Sequence, residues 1–140
     1  MDPEFVKDIR QIRMGHSSWR INLVLKGLPD IRFFAPGETG PWHRSDTSIF
    51  PDVEGLEANF LAVAAGRLPK APRLEITIPS TVDDSLTPPG QHVMSVLAKN
   101  YPYQLADGLS WDDIKEDAAD EIIFSVNFQN KMPVSDYTIL

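Results

Sequence analysis

The chain has 140 residues, 42% hydrophobic and 24% charged, an ordinary balance for one soluble globular domain whose core needs no covalent staples. A formal net charge of -7, with no basic stripe interleaved with aromatics, argues against nucleic acid as a partner because an acidic surface repels phosphate backbones. Cysteine is absent, which excludes disulfides, thiolate metal sites and cysteine nucleophiles, and no apolar run approaches the ~20 residues of a transmembrane helix.

Residues 1–5 read Met-Asp-Pro-Glu-Phe, and Asp-Pro-Glu-Phe is what abutting BamHI and EcoRI sites encode in one frame. The pentapeptide is therefore read as a cloning scar and set apart from the fold. Val6, Ile9 and Ile12 share one helical face, which predicts a short helix over 6–14. From Trp19 to Lys26 the chain alternates, with Ile21, Leu23 and Leu25 on one side and Arg20 and Asn22 on the other, the pattern of a half-buried strand. Gly27-Leu28-Pro29-Asp30 turns it, Ile31–Phe34 is expected as a short second strand, and 35–46 reads as a Gly- and Pro-containing surface loop.

Thr47–Phe50 is a further candidate strand, and Asp52 is placed to cap a helix whose broad apolar face carries Val53, Leu56, Phe60, Leu61, Val63 and Ala64. Gly66 supplies a left-handed exit. Arg73–Pro79 alternates again through Leu74, Ile76 and Ile78, and Pro88-Pro89-Gly90 reverses the chain into His92–Lys99. That strand is apolar on both sides, which predicts a central position covered on two faces. Ser110 with Asp113 three residues on resembles a capping box, and Trp111–Val126 is amphipathic, with Ile114, Ala118, Ile122 and Val126 in one stripe. Past residue 126 the periodicity fades, so 127–140 is expected to be a frayed or foreign tail. The order of elements predicts an α+β fold, an antiparallel or mixed sheet with two main helices on one face, and strands 73–79 and 92–99 pairing as antiparallel neighbours.

The residues alone carry little chemistry. No GxGxxG or GxxxxGK[ST] is present, so nothing in the chain cradles a dinucleotide or nucleotide phosphate. His16, His43 and His92 lack metal-ligand spacing, and the acidic pairs Asp83-Asp84, Asp112-Asp113 and Glu116-Asp117 read as turn or helix-start residues, where solvent and the helix dipole accept negative charge. Ser17, Ser18 and Ser80 lie outside any nucleophile-elbow context.

Three stretches in order take the reading further. Arg20-Ile21-Asn22-Leu23-Val24-Leu25-Lys26-Gly27-Leu28-Pro29 resembles the K-x-N-L-A-L-x-G-L-P strand and turn of phytoene-desaturase-like FAD-dependent oxidoreductases, and is most similar to their pyridine-nucleotide-disulfide-oxidoreductase-domain branch. Leu74–Ser80 with Asp83, Asp84 and Ser85–Gly90 resembles that family's E-x-T-I-P-S…D-x-S-L-A-P-P-G segment, and His92-Val93-Met94-Ser95 with Tyr101-Pro102-Tyr103 resembles its H-V-M-S…Y-A-P-Y. The likeness runs over about residues 16–123, while 124–140 departs from the family pattern.

The resemblance implies that residues 6–126 form the substrate-binding domain of a flavoprotein whose FAD-binding domain lies elsewhere, so that this chain holds no cofactor and is not catalytic alone. FAD is then the cofactor of the full-length parent, and the implied partners are that FAD-binding domain and an apolar small-molecule substrate, compatible with a cytoplasmic or membrane-peripheral setting. His92, Met94, Tyr101 and Tyr103 are the implied candidates for facing substrate, since aromatic and thioether groups suit a flat or polyene ligand. No residue carries an implied catalytic or metal-binding role. Surface left bare by the missing domain is expected to drive homo-oligomerisation of the isolated chain, through an apolar face or an uncovered edge strand. The alternatives are a free-standing small-molecule-binding or protein-interaction module on the same fold, and, with no motif behind it, a small cofactor-free hydrolase or isomerase.

Overall fold

The alternating segments pair as one antiparallel sheet. In the computed structural model, which describes residues 2–12, 15–30, 35, 37–130 and 137–139, the strands are β1 His16–Leu25, β2 Thr47–Ile49, β3 Arg73–Thr77, β4 His92–Pro102 and β5 Tyr137–Ile139. Their order across the sheet is β2-β3-β4-β1-β5, antiparallel throughout. The helices are α1 Pro3–Gln11, α2 Val53–Ala64 and α3 Trp111–Asn130, with single 3₁₀ turns at Pro41–His43, Pro79–Thr81, Asp84–Leu86 and Ala106–Gly108. The fold is α+β, and β3 and β4 are antiparallel neighbours, Ile76 opposite Val96.

Register explains the core. Ile21 pairs with Val96 and Leu23 with Met94, while Leu74 pairs with both Ala98 and Ile49, so one sheet face is aliphatic from β2 across to β1. The stripe of α3 closes on that face: Ala119, Ile122, Ile123 and Val126 join the strand residues in a single buried cluster. Each fully buried side chain of this size contributes about 1.5–3 kcal/mol, which makes the β1–β4–α3 sandwich the stable centre of the molecule.

The opposite sheet face is polar. Arg20 Nη1 donates to Ser95 Oγ at 2.7 Å, and Glu75 accepts from Lys99 at 2.5 Å and from Arg73 at 3.0 Å. The Arg73 guanidinium also lies 4.6 Å from the centroid of the Phe50 ring. Val93 and Leu97 remain partly exposed among these charges, so β4 is central but sealed on one face only. The apolar character of both its sides misled the sequence reading; neighbouring Arg20, Glu75 and Lys99 make the second side a polar, half-buried surface.

Three local features differ from the sequence reading. Helix α1 begins at Pro3, three residues ahead of the expected Val6, capped by Asp2 accepting the Glu4 amide at 2.9 Å. Helix α2 starts where expected, Asp52 accepting the Gly55 amide at 2.8 Å, but only Asn59 and Val63 are buried; Val53, Leu56, Phe60 and Leu61 face outward. The cause is Asn59, whose amide side chain donates to the Ala71 carbonyl at 2.6 Å and fixes which side of α2 turns inward. The fading periodicity after residue 126 conceals a helix that runs on to Asn130 and a strand, β5, that pairs Leu23 with Ile139. The strand expected at 31–34 and the helix end at 13–14 lie outside the described residues.

Candidate functional site

A left-handed residue builds the first recess. Lys99 pairs with Ser18 and Tyr101 with Ser17, leaving Asn100, at φ 63°, as an extra residue in β4. This bulge breaks the alternation, so Tyr101 follows Ala98 onto the core side of the sheet instead of pointing to the polar face. There it meets Trp19 at 6.0 Å between ring centroids and Trp111 at 6.2 Å, and the two tryptophans stand 5.4 Å apart. Trp111 is held by the start of α3, where Ser110 Oγ donates to Asp113 Oδ2 at 2.6 Å. The recess in front of these rings has a volume of about 330 Å³, with Tyr103 at its edge and Lys115 and Asp112 at its mouth, 3.4 Å apart. Burial, and secondarily the Glu121 carboxylate, raises the Tyr101 phenol above its ordinary value, so the hydroxyl keeps its proton.

The second recess, about 600 Å³, lies at the start of β4 and is lined by polar groups that include His43, Ser80 and His92. His43 is buried, accepts the Gly40 amide at Nδ1 (3.3 Å) and donates from Nε2 to the Pro29 carbonyl (3.0 Å), so it staples two loop segments together. Ser80 Oγ accepts the Val93 amide at 3.0 Å and stands 3.1 Å from Nδ1 of His92. Desolvation, and secondarily His43, holds the His92 imidazole below the usual 6.5, favouring its neutral form. This Ser–His contact joins two residues that the sequence separates by eleven others, and it orients the His92 ring.

The residues singled out from the sequence therefore divide. Tyr101 and Tyr103 share the aromatic recess, and His92 lines the polar one. Met94 is fully buried in the core opposite Leu23 and reaches neither recess. Sequence reading missed Trp19 and Trp111. Their signals were present, an indole opening an alternating strand and another at the first position of a capped helix, but nothing local places them side by side. Among the described residues, no group of three or more His, Asp or Glu side chains converges as a metal site, and no helix is long and apolar enough to cross a membrane.

What these observations define is an antiparallel α+β domain with one face closed by a helix, one open polar face and an aromatic recess at the sheet's end. No family model matches the chain. It is similar to pyridine nucleotide-disulfide oxidoreductase domain-containing protein 2 of Mus musculus, 31% identical over 125 residues, and to the protein of the same name of Rattus norvegicus, 32% identical over 125 residues. The match takes in 86% of this chain but 21% of each relative, so the chain spans about a fifth of the length of the curated relatives it matches. The chain is thus related to part of longer proteins named for an oxidoreductase domain.

Proposed function

We propose that this chain is the substrate-binding part of an FAD-dependent oxidoreductase of the phytoene-desaturase-like type. The observation that carries the reading is the match itself: most of this chain aligns with a fifth of proteins named for an oxidoreductase domain, and the motif resemblances fall on β1, β3 and β4, three adjacent strands of one sheet. The residues present do not fit a dinucleotide of their own, since among the described residues no strand leads through a Gly-rich turn into a helix N-terminus. The flavin would be held by other polypeptide and would supply hydride acceptance.

In this reading the sheet face of Arg20, Leu97 and Lys99 turns toward the flavin-bearing part, because the other face is already occupied by α3. The outward stripe of α2 supports the same arrangement. Val53 is 78% exposed and Phe60 58%, apolar surface of the kind that covering polypeptide buries.

The test is a segment exchange. Replacing the matching fifth of the mouse relative with this chain is expected to give a folded chimera with flavin visible absorbance, while this chain alone stays colourless and gains no thermal stability from added FAD. Saturable FAD binding by the isolated chain would sink the reading. So would a chimera that folds, by circular dichroism, but lacks a flavin absorbance shown by the unaltered mouse protein purified in parallel.

A further inference from the structure

We propose that the recess formed by Trp19, Tyr101, Tyr103 and Trp111 is a binding site for a flat, uncharged aromatic ring system of one or two rings. This inference stands on the recess alone and does not depend on the flavoprotein reading, because Trp19 and Tyr101 lie on the helix side of the sheet and not on its open polar face.

The site is built by features that a merely filled core does not need. A residue in the left-handed region, Asn100, is spent on turning Tyr101 toward the indoles, a conformation that most side chains avoid and asparagine tolerates. Trp111 occupies the first position of α3, so it is anchored by the Ser110–Asp113 cap while its ring is only partly buried. Trp19 is likewise partly buried, and both pack against the core without being enclosed by it.

Three rings mutually inclined at 51–63° make a rigid corner, offering ring faces and edges together. A planar π-system is the shape that satisfies both at once, through stacking on one ring and edge contact with the next. The recess volume of about 330 Å³ is at the small end of the roughly 300–1,000 Å³ that ligand sites span, which sets the limit at one or two rings.

The charges at the mouth select for neutrality. Lys115 and Asp112 are 3.4 Å apart and largely exposed, so each screens the other and neither presents an uncompensated charge to a ligand. An organic cation or a carboxylate would leave water here without an uncompensated counter-charge to receive it.

The chain has three tryptophans, and Trp42, which lies in the Pro41–His43 turn, serves as an internal control. Titrating the full chain with 2-naphthol, followed through the tryptophan indole N–H resonances, is expected to shift Trp19 and Trp111 saturably and leave Trp42 in place. Cyclohexanol at matched concentration, apolar but not aromatic, is expected to shift none of them. Tyr103 is exposed at the edge of the recess, so Tyr103→Ala should leave the fold intact and weaken 2-naphthol binding by about twofold to tenfold, the range of one aromatic contact. Lys115→Gln should change the affinity by less than about twofold, because a neutral ligand draws little on a screened, exposed charge. The proposal fails if no saturable shift occurs, if Trp42 moves with the other two, if cyclohexanol binds equally, or if Tyr103→Ala leaves the affinity unchanged. A loss of tenfold or more in Lys115→Gln would overturn the assignment of an uncharged ligand.

Discussion

The Ser80 hydroxyl stands 3.1 Å from Nδ1 of His92 while its oxygen receives the Val93 amide at 3.0 Å, so one buried side chain ties the turn after β3 to both the ring and the backbone of β4. Ser80→Ala removes both contacts and strands the amide. The expected loss is about 1–3 kcal/mol of folding stability, the cost of an unpaired buried donor, read by urea denaturation. The pH dependence follows from His92. Its folded pKa lies below the unfolded 6.5, so its neutral form favours the fold fully above 6.5, and that stability is lost as pH falls through the folded value. His92→Gln is expected to flatten the stability profile just below pH 6.5; an unchanged slope there would assign it to other groups.

Glu75 shows the same direction in a lower window. The hydrogen bond from Lys99 is the main cause holding its carboxyl below the ordinary 4.5, with Arg73 adding to it. The ion-pair contribution is therefore present above 4.5 and disappears as the carboxylate is protonated at lower pH. Glu75→Gln is expected to be less stable than the parent at neutral pH, with the difference closing well below 4.5, in matched denaturant titrations.

Backbone conformation sets expectations at two positions. Asn100→Val forces a β-branched residue into φ 63° and is expected to cost about 1–2 kcal/mol, whereas Asn100→Gly should fall within about 1 kcal/mol of the parent. Gly66 has φ 73°, and a Cβ there would lie 2.8 Å from the Ala106 nitrogen and 3.1 Å from the Gln104 carbonyl oxygen. Gly66→Ala should cost about 2 kcal/mol or more, since strain and backbone clash add. Thermal melts by circular dichroism read both.

Met94 separates packing from ligand contact. As a core residue opposite Leu23 it should lose about 2–5 kcal/mol on Met94→Ala and under about 1.5 kcal/mol on Met94→Leu. Both variants are expected to keep the aromatic recess, so 2-naphthol titration of Met94→Leu should match the parent.

The exposed stripe of α2 gives the expectation for self-association. Phe60 is 58% exposed beside Leu56 and, across a ring contact of 5.8 Å, His16. Light scattering of the concentrated chain is expected to show association that Phe60→Glu reduces without lowering the melting temperature. Association undiminished in Phe60→Glu would place the contact elsewhere.

Where each residue's role is local, the sequence was readable. Asp52 and Gly66 bracket α2 through a side-chain cap and a left-handed exit, and the alternation of Leu74 and Ile76 marks β3, because both signals depend on neighbours a few positions away. What escaped depends on distant partners. The burial of Asn59 in place of Phe60 is decided by the Ala71 carbonyl, twelve residues on. The second face of β4 is polar because of Arg20 and Glu75 on other strands. Asn100 was silent for a different reason: asparagine is common both in and out of the left-handed region, so it gave no sign of the bulge that creates the recess.

The two borders of the sheet, β2 and β5, are three residues each. Among the described residues β5 covers only Leu23–Leu25 of β1, so along His16–Asn22 the ten-residue strand keeps a border that no described strand pairs, with amide and carbonyl groups that an incoming extended peptide can grip. Crowding is therefore expected to draw molecules together along this border through backbone ladders as well as through the apolar side chains of α2.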